Sequence, residues 1–363
     1  MHLLGNVSPR ALTDEFFNQQ PVGSGPYRLA ELTPERAVLE ANPAHHLGQP
    51  FIQRLELRFY RHEGLLLSAL EAGQIDGAFF SRGLGPVELQ ELQQRTSLRL
   101  SAFPTGETAY VYFNLRLPVF QDRRVRQALL YALDRDALVT DVFDGQALRA
   151  DSPLSAGTWA YSDALGRYDP DPNVAAALLS EAGWLPGPDG VRRRAGLDLA
   201  FTLAVNNDPV RVTVANQIAG RWSAIGVRAT VEASGATNIV RELIEPRDFE
   251  ALLFANVVQD DPDPYLAWHS SQTGPRGANL SSLRDDRIDG LLEEARLLAA
   301  PERRATLYAE FQEVFAQEVP AIPLYTSTVL YAQKAALKGV RIGYLDNPGA
   351  RFWQVYEWHL RTR

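Results

Sequence analysis

Three carboxylates lie within four residues in the segment Asp260-Asp261-Pro262-Asp263-Pro264, where they could bind calcium. A calcium loop of the EF-hand type also needs a glycine and a distal glutamate at fixed positions, and the sequence has neither there. Aspartates beside prolines are favourable helix caps. The segment therefore favours a helix-entry loop, and calcium binding is the alternative.

An aromatic and a titratable ring follow this acidic segment directly, at Trp268 and His269. A tryptophan among small polar residues can form a stacking surface for a ligand. It can equally be an ordinary aromatic residue of the core. Both interpretations stay open at this point.

The glycines of Gly23-Ser24-Gly25-Pro26-Tyr27 could cradle a phosphate, but no Gly-Lys-Ser/Thr follows them. A tight crossing, where one backbone approaches another, is the simpler interpretation. The chain has no cysteine, its histidines are scattered, and Gly-x-Ser-x-Gly is missing. We therefore expect no catalysis, no bound metal and no cofactor.

The composition describes an acidic chain of 363 residues with a net charge of −8. This charge argues against nucleic acid as a partner, because nucleic-acid binders usually carry a basic face. The basic cluster Arg192-Arg193-Arg194 follows a turn signal and is expected at a solvated hairpin tip. No apolar run approaches the roughly 18 residues that span a membrane. The first residues lack the pattern of a signal peptide, which alone would indicate a cytoplasmic protein.

Helical and strand-like patterns alternate along the chain, which predicts an α/β fold of about two domains. A helix is expected to begin at Asp122, a favourable cap. The predicted strands are 55–59, 75–80, 197–205, 227–231, 249–254, 322–325 and 329–332. The predicted helices are 65–70, 136–143, 175–182, 212–222, 237–245, 284–299 and 301–318.

Several segments resemble, in the correct order, the family-5 extracellular solute-binding proteins of the peptide and nickel ABC-transporter type. The segment 112–135, from Tyr112-Phe113-Asn114 to Leu133-Asp134-Arg135, is the most specific. Further matches occur at 21–28, 39–50, 69–76, 168–185, 261–264, 279–292 and 320–325. Members of this family normally carry an export signal and a longer front region, so the resemblance implies that a front portion is missing from this chain.

The resemblance implies a periplasmic-binding-protein-like fold of type II, in which two α/β lobes are joined by crossing strands and enclose the solute. Residues 1–105 and 326–363 are expected in an incomplete first lobe, and residues 106–325 in the second. Hinge closure around the solute would follow from tighter binding to the closed state. The implied partners are a small solute or peptide and an ABC permease, and the implied location of the intact protein is periplasmic or extracellular at the membrane.

The same resemblance places the pocket wall in loops of the second lobe. The expected ligand-binding residues are Asn256, Asp260, Trp268, His269 and Asn279, together with Tyr27 and Asn114. Peptide-binding members commonly have an Asp, three residues before the one matching Asp261, that pairs with the free α-amino group of the peptide. Val258 stands at that position here and cannot accept a hydrogen bond. We therefore expect a ligand without that amine, unless Asp260 substitutes from a shifted register.

Two other classes of protein stay open. A solute-sensing domain of a transcriptional regulator would use the same fold, and a helix-turn-helix encoded upstream would favour it. A hydrolase is the further alternative, against which the missing nucleophile and metal motifs count.

Overall fold

The computed structural model describes residues 7–8, 10–11, 15–18, 20–81, 83–166, 168–257, 261–343, 345 and 347–360. The chain divides into two compact units. Unit 1 contains Met1–Phe103, Val329–Gly343 and Pro348–Arg363, and unit 2 contains Pro104–Thr328 and Tyr344–Asn347. The assignment of these units to the two lobes of the family stays a prediction.

The strands are short except for two, which are 16 and 14 residues long. In chain order they are β1 Tyr27–Leu32, β2 Arg36–Ala41, β3 Arg54–Arg58, β4 Gly77–Phe80, β5 Leu98–Phe113, β6 Ala147–Arg149, β7 Leu185–Pro186, β8 Arg192–Arg194, β9 Leu197–Asp198, β10 Ala200–Asn206, β11 Arg228–Ser234, β12 Ala251–Val257, β13 Ala321–Lys334, β14 Leu337–Lys338 and β15 His359–Leu360.

The α-helices alternate with these strands. They are α1 Glu63–Glu71, α2 Pro86–Gln93, α3 Pro118–Gln121, α4 Arg123–Tyr131, α5 Arg135–Phe143, α6 Pro172–Glu181, α7 Pro209–Ala224, α8 Ala236–Asn238, α9 Tyr265–Trp268, α10 Asp286–Leu297 and α11 Pro301–Glu318. A π-helical segment, Ile239–Ile244, continues α8. Within the described ranges, no helix is long and apolar enough to cross a membrane.

Unit 1 contains an antiparallel sheet of order β1-β2-β3. Its strand β4 pairs antiparallel with the last part of β13, with Phe80 opposite Leu330. An apolar cluster between α1, α2 and β4 is built on Leu70, Phe80 and Leu92. A second cluster collects the aromatic side chains of the C-terminal segment, including Trp358.

Unit 2 is organised around strands in the order β11-β10-β12-β5. Strand β10 is parallel to both β11 and β12, whereas β5 is antiparallel to β12. The two faces of this sheet carry separate apolar cores. One core contains Phe113 and Trp222, and the other contains Tyr112, Trp268 and Phe315. Because both faces are covered, these strands are rich in apolar residues.

Helix caps follow the sequence closely in unit 2. The Asp122 side chain accepts a hydrogen bond from the Arg124 N–H, as predicted for the start of α4. Asp134 and Asp171 cap α5 and α6 in the same way. These caps satisfy backbone N–H groups that have no partner within the helix.

Two local predictions were wrong. The arginines 192–194 form the strand β8 instead of a hairpin tip. Arg192 is buried, and its guanidinium donates to the carbonyls of Trp184 and Ile225. The strands expected at 322–325 and 329–332 are one continuous strand, β13. The tight crossing expected at Gly23–Tyr27 stays a prediction.

Candidate functional site

Polar side chains gather where the parallel strands of unit 2 end. Ligands in open α/β sheets bind outside the carboxyl ends of the strands, beside the point where the strand order changes direction. Strand β10 ends at Asn206, opposite Ser234 at the end of β11. On β12, Asn256 lies opposite Thr108 of β5. We call the set Glu107, Thr108, Asn206, Arg211 and Asn256 the polar edge.

Asn206 has spare hydrogen-bonding capacity. Asn206 as a whole is only partly buried, but its Oδ1 is shielded from solvent and has no hydrogen-bond partner among the described residues. A shielded amide oxygen without a partner costs roughly 1–3 kcal/mol of stability. A bound molecule that donates a hydrogen bond would satisfy it.

An ion pair lies beside Asn206 along the chain. The Arg211 guanidinium donates to the Glu107 carboxylate at 2.8 Å, and both side chains keep partial contact with solvent. Arg211 is placed by the first turn of α7, whose cap Asp208 accepts from the N–H groups of Val210 and Arg211. The helix N-terminus therefore presents a charged pair at the carboxyl end of the sheet.

Buried hydroxyl groups extend the polar edge toward β13. Thr108 is 1% exposed, and its hydroxyl lies 2.9 Å from that of Thr326 and 3.3 Å from that of Ser155. Burial raises the pKa of the neighbouring Tyr325 to about 12, although Arg211 opposes this shift. These groups are neutral at physiological pH, so they orient hydrogen bonds without adding charge.

A small cavity lies next to these hydroxyl groups. Its lining includes Arg149, Asp151, Tyr161 and Thr326, and its volume is about 10 Å³. Such a volume holds about one water molecule. This cavity cannot itself accommodate a solute such as a peptide.

The predicted site residues are distributed over different environments. Asn256 lies on the polar edge. Asp260 and Val258 lie outside the described residues, as does the register question that depends on them. Tyr27 begins β1 in unit 1, where its hydroxyl donates to the Ile52 carbonyl at 2.9 Å and burial raises its pKa to about 12.

Two of the asparagines predicted to bind ligand use their side-chain amides for hydrogen bonds to backbone groups. Asn114 donates to the carbonyls of Arg247 and Phe249, and accepts from the Arg116 N–H. Asn279 is fully buried and donates to the carbonyls of Trp268, His269 and Leu283. These contacts favour a structural role, and the ligand role of both residues stays a prediction.

The aromatic candidate is also enclosed. Trp268 is 1% exposed and stacks on Tyr112 with ring centroids 5.8 Å apart. The ring of Phe315 meets it edge-on at 4.6 Å. These contacts favour a packing role, because the enclosed indole offers no open face, and stacking on a ligand stays a prediction.

His269 is buried, but its hydrogen-bond partners Ser271 and Glu293 are exposed. Its Nδ1 lies 2.9 Å from the Ser271 hydroxyl and accepts from the Ser271 N–H, while its Nε2 contacts Glu293 at 3.2 Å. The ring of Tyr265 stacks on it at 4.1 Å. Because Nδ1 accepts, the proton lies on Nε2 and faces Glu293. His269 caps the short helix Ser270–Gln272.

Most residues of the polar edge were not predicted from the sequence. The signal was available at Val205-Asn206-Asn207-Asp208-Pro209, where polar residues separate a predicted strand from a predicted helix. Such a junction is where ligands bind in α/β sheets. In the parts of the chain that the structure describes, no group of three or more potential ligands could hold a metal ion.

Comparisons with known proteins agree with this architecture. Residues 3–277 match the model described as bacterial extracellular solute-binding proteins, family 5 middle. The chain is 26% identical to the oligopeptide-binding protein AppA of Bacillus subtilis over 99% of its own length and 66% of that protein. It is 27% identical to heme-binding protein A of Haemophilus influenzae over 92% of its length and 59% of that protein.

A solved structure shows the same fold. NikZ of Campylobacter jejuni, in complex with Ni(L-His), superposes with a TM-score of 0.69 at 26% identity, covering 96% of this chain and 72% of that one. The chain thus spans about three fifths to two thirds of the length of the curated relatives described above. The predicted α/β fold, of the two-lobe periplasmic-binding type, is confirmed. The chain belongs to the bacterial extracellular solute-binding proteins of family 5.

Proposed function

We propose that this chain is the solute-binding component of an ABC importer, and that its solute contacts the polar edge of unit 2. The observation that carries the proposal is the family match over residues 3–277. The unpartnered Oδ1 of Asn206 supports the location. The function requires reversible binding and delivery to a permease in the membrane, not a covalent step, so we propose no catalysis. The matching location is the extracellular side of the membrane.

A short peptide fits the polar edge best. Asn206 and Asn256 are neutral amides, which offer both donors and acceptors to peptide groups. The oxygen of Asn206 can accept a peptide N–H, and the ion pair of Arg211 with Glu107 leaves little net charge. The relatives support a peptide as well as other cargo, because one is named oligopeptide-binding, one heme-binding, and one holds Ni(L-His).

Isothermal titration calorimetry on the 363-residue protein tests this function. The probes are a pool of pentapeptides, the same pool with acetylated N-termini, hemin, and the nickel–histidine complex. We expect peptide binding, with the free and acetylated pools differing less than about threefold, because Val258 cannot neutralise an ammonium. Absence of binding by all four probes would contradict the importer proposal.

Matched asparagine variants test the location. Asn206→Ala removes the shielded oxygen and is expected to weaken peptide binding about tenfold, the equivalent of 1.4 kcal/mol. Asn173→Ala changes an exposed asparagine in the first turn of α6 and serves as the control. Equal affinities of the two variants would place the peptide elsewhere. A preference for free amines that Asp260→Asn abolishes would show that Asp260 is the amine partner.

A further inference from the structure

Three arginine side chains of unit 2 converge on one turn, residues 273–277. The Arg116 guanidinium donates to the Thr273 carbonyl at 2.8 Å, and the Arg284 guanidinium donates to the Thr273 hydroxyl at 3.5 Å. The Arg247 guanidinium donates to two further carbonyls of the same turn. We call Arg116, Arg247 and Arg284 the arginine cluster.

Asn114, directly after β5, holds two members of the cluster together. Its Oδ1 accepts from the Arg116 N–H, and its Nδ2 donates to the Arg247 carbonyl at 3.2 Å. The backbone of Arg247 is left-handed, with a φ of 61°, which is uncommon for a residue with a long side chain. Conformations of this kind are frequent at functional sites. Because Ala251 at the start of β12 lies opposite Phe113, the cluster lies at the amino end of β12, whereas the polar edge lies at its carboxyl end.

The positive charge of the arginine cluster is not neutralised within the described part of the chain, where no carboxylate forms an ion pair with any of the three guanidinium groups. Arg247 is 5% exposed, and its Nε has no hydrogen-bond partner among the described residues. Burial lowers the pKa of Arg247, and the charge of Arg116 lowers it further. The carbonyls of the turn accept hydrogen bonds but carry no net charge, so the cluster lacks a counter-ion.

Two other buried arginines of unit 2 are paired within the chain. The Arg135 guanidinium lies 2.7 Å from the Asp151 carboxylate, and that of Arg126 lies 3.3 Å from Glu318. Arg192 is buried without such a partner, but burial alone lowers its pKa and no second arginine contributes. Burying a cation without a counter-charge is costly, and a second cation beside it adds to that cost. An anion that binds at the arginine cluster would remove both effects.

We propose that the arginine cluster is a binding site for one phosphate-type oxyanion. A guanidinium donates two parallel hydrogen bonds to phosphate oxygens, which makes arginine well suited to this ligand. Arg116 and Arg284 are exposed, so their side chains can reorient toward a bound anion, while the buried Arg247 supplies a fixed charge. A free phosphate ion and the headgroup of an anionic phospholipid both offer this chemistry. The site belongs to unit 2 but is separate from the polar edge, so the inference is independent of the solute.

Inorganic phosphate is the first probe, used on the 363-residue protein. We expect phosphate to raise the melting temperature more than sodium chloride does at the same ionic strength, because an anion that binds only the folded state stabilises it. Isothermal titration calorimetry with phosphate then gives the dissociation constant.

Glutamine variants at exposed positions test the assignment to these residues. Arg116→Gln and Arg284→Gln each remove one charge from the cluster, and each should weaken phosphate binding about tenfold. Arg303→Gln removes the same charge from an exposed position on α11 and is the matched control, expected to bind as the wild type does. Equal losses in Arg116→Gln and Arg303→Gln would overturn the proposal, because net charge alone would then explain the binding.

Vesicles distinguish the two sources of the oxyanion. Cosedimentation with phosphatidylglycerol vesicles but not with phosphatidylcholine vesicles, lost in Arg116→Gln and kept in Arg303→Gln, would identify the lipid headgroup. Binding of inorganic phosphate without vesicle binding would identify the soluble ion, and both results support the site. A wild-type protein that binds neither probe more tightly than Arg116→Gln does would overturn the proposal.

Discussion

The asparagines that look suited to ligand binding in the sequence use their side chains to hydrogen-bond the protein's own backbone. The Nδ2 atom of Asn279 donates to three backbone carbonyls, and that of Asn114 donates to two. Buried polar groups are nearly always hydrogen-bonded, so a buried asparagine is ordinarily structural. Asn206 differs because its shielded oxygen has no partner among the described residues. Residue type and spacing alone cannot separate these two situations.

Trp268 offers a direct test of packing against ligand stacking. Trp268→Ala should lower the free energy of unfolding by about 3–5 kcal/mol, because a large buried side chain leaves a cavity. Trp268→Phe should lose less, because it keeps an aromatic ring beside Tyr112 and Phe315. Urea unfolding measures both values.

Trp268→Phe also separates the packing role of Trp268 from a role in stacking on the ligand. If Trp268 only packs, Trp268→Phe binds peptide with the wild-type affinity. A folded Trp268→Phe protein that binds at least tenfold more weakly would show that the indole contacts the ligand.

At the scale of elements, the apolar periodicity and the cap residues were sufficient to predict the regular helices. The predicted helix at 301–318 coincides with α11, and Asp122 caps α4 as expected. The π-helical turn at Ile239–Ile244 was not predictable, because its i→i+5 hydrogen bonds leave no distinct apolar period. The long strand β5 was missed because Pro104, Gly106 and polar residues interrupt its apolar pattern.

The polar edge depends on long-range strand order, which no local pattern contains. Asn256 and Thr108 lie opposite each other because β12 pairs antiparallel with β5, from a distant part of the chain. The junction after β10 was recognisable, but its neighbours across the sheet were not. The candidate site was therefore predictable in part, at single strand ends.

The N-cap residue of α7, Asp208, holds the first turn of the helix, which contains Arg211 of the polar edge. Asp208→Ala should lower the free energy of unfolding by about 1 kcal/mol, because two backbone N–H groups lose their acceptor. Asp208→Asn keeps an acceptor oxygen and should keep most of the stability. Urea unfolding gives both values, and equal losses in the two variants would show that charge rather than capping is responsible.

At the scale of the whole molecule, the family resemblance was recognisable because motifs occur in order along nearly the entire chain. The match over residues 3–277 confirms it. The pairing of strands that are distant along the chain, such as β4 with β13, was not visible in this way. The motifs identify the fold, whereas the strand pairs follow from its hydrogen bonds.

The molecule as a whole should lose stability in alkali through its buried tyrosines. Burial raises the pKa of Tyr325 and of Tyr331 to about 12, and raises that of Tyr112 well above its usual value of 10. The folded state keeps these protons at a pH where the unfolded state releases them. This stabilisation is complete below about pH 10 and is lost as the pH rises through 12.

Two buried guanidinium groups act in the opposite direction. Burial lowers the pKa of Arg126 and of Arg135 to about 10, so between pH 10 and 12.5 the unfolded state binds more protons than the folded state. These arginines offset part of the tyrosine effect. A single tyrosine variant is therefore needed to isolate one contribution.

Tyr325→Phe provides this comparison, because it removes the hydroxyl and keeps the ring against Phe143. Between pH 8 and 11, the free energy of unfolding of the wild type should fall more steeply with pH than that of the variant. A shift of about two pKa units corresponds to roughly 2–3 kcal/mol when the titration is complete. Urea unfolding at each pH measures the difference, while absorbance at 295 nm follows tyrosine ionisation. Parallel pH profiles of the two proteins, with ionisation of Tyr325 near pH 10 in the folded state, would show that this hydroxyl is accessible to solvent.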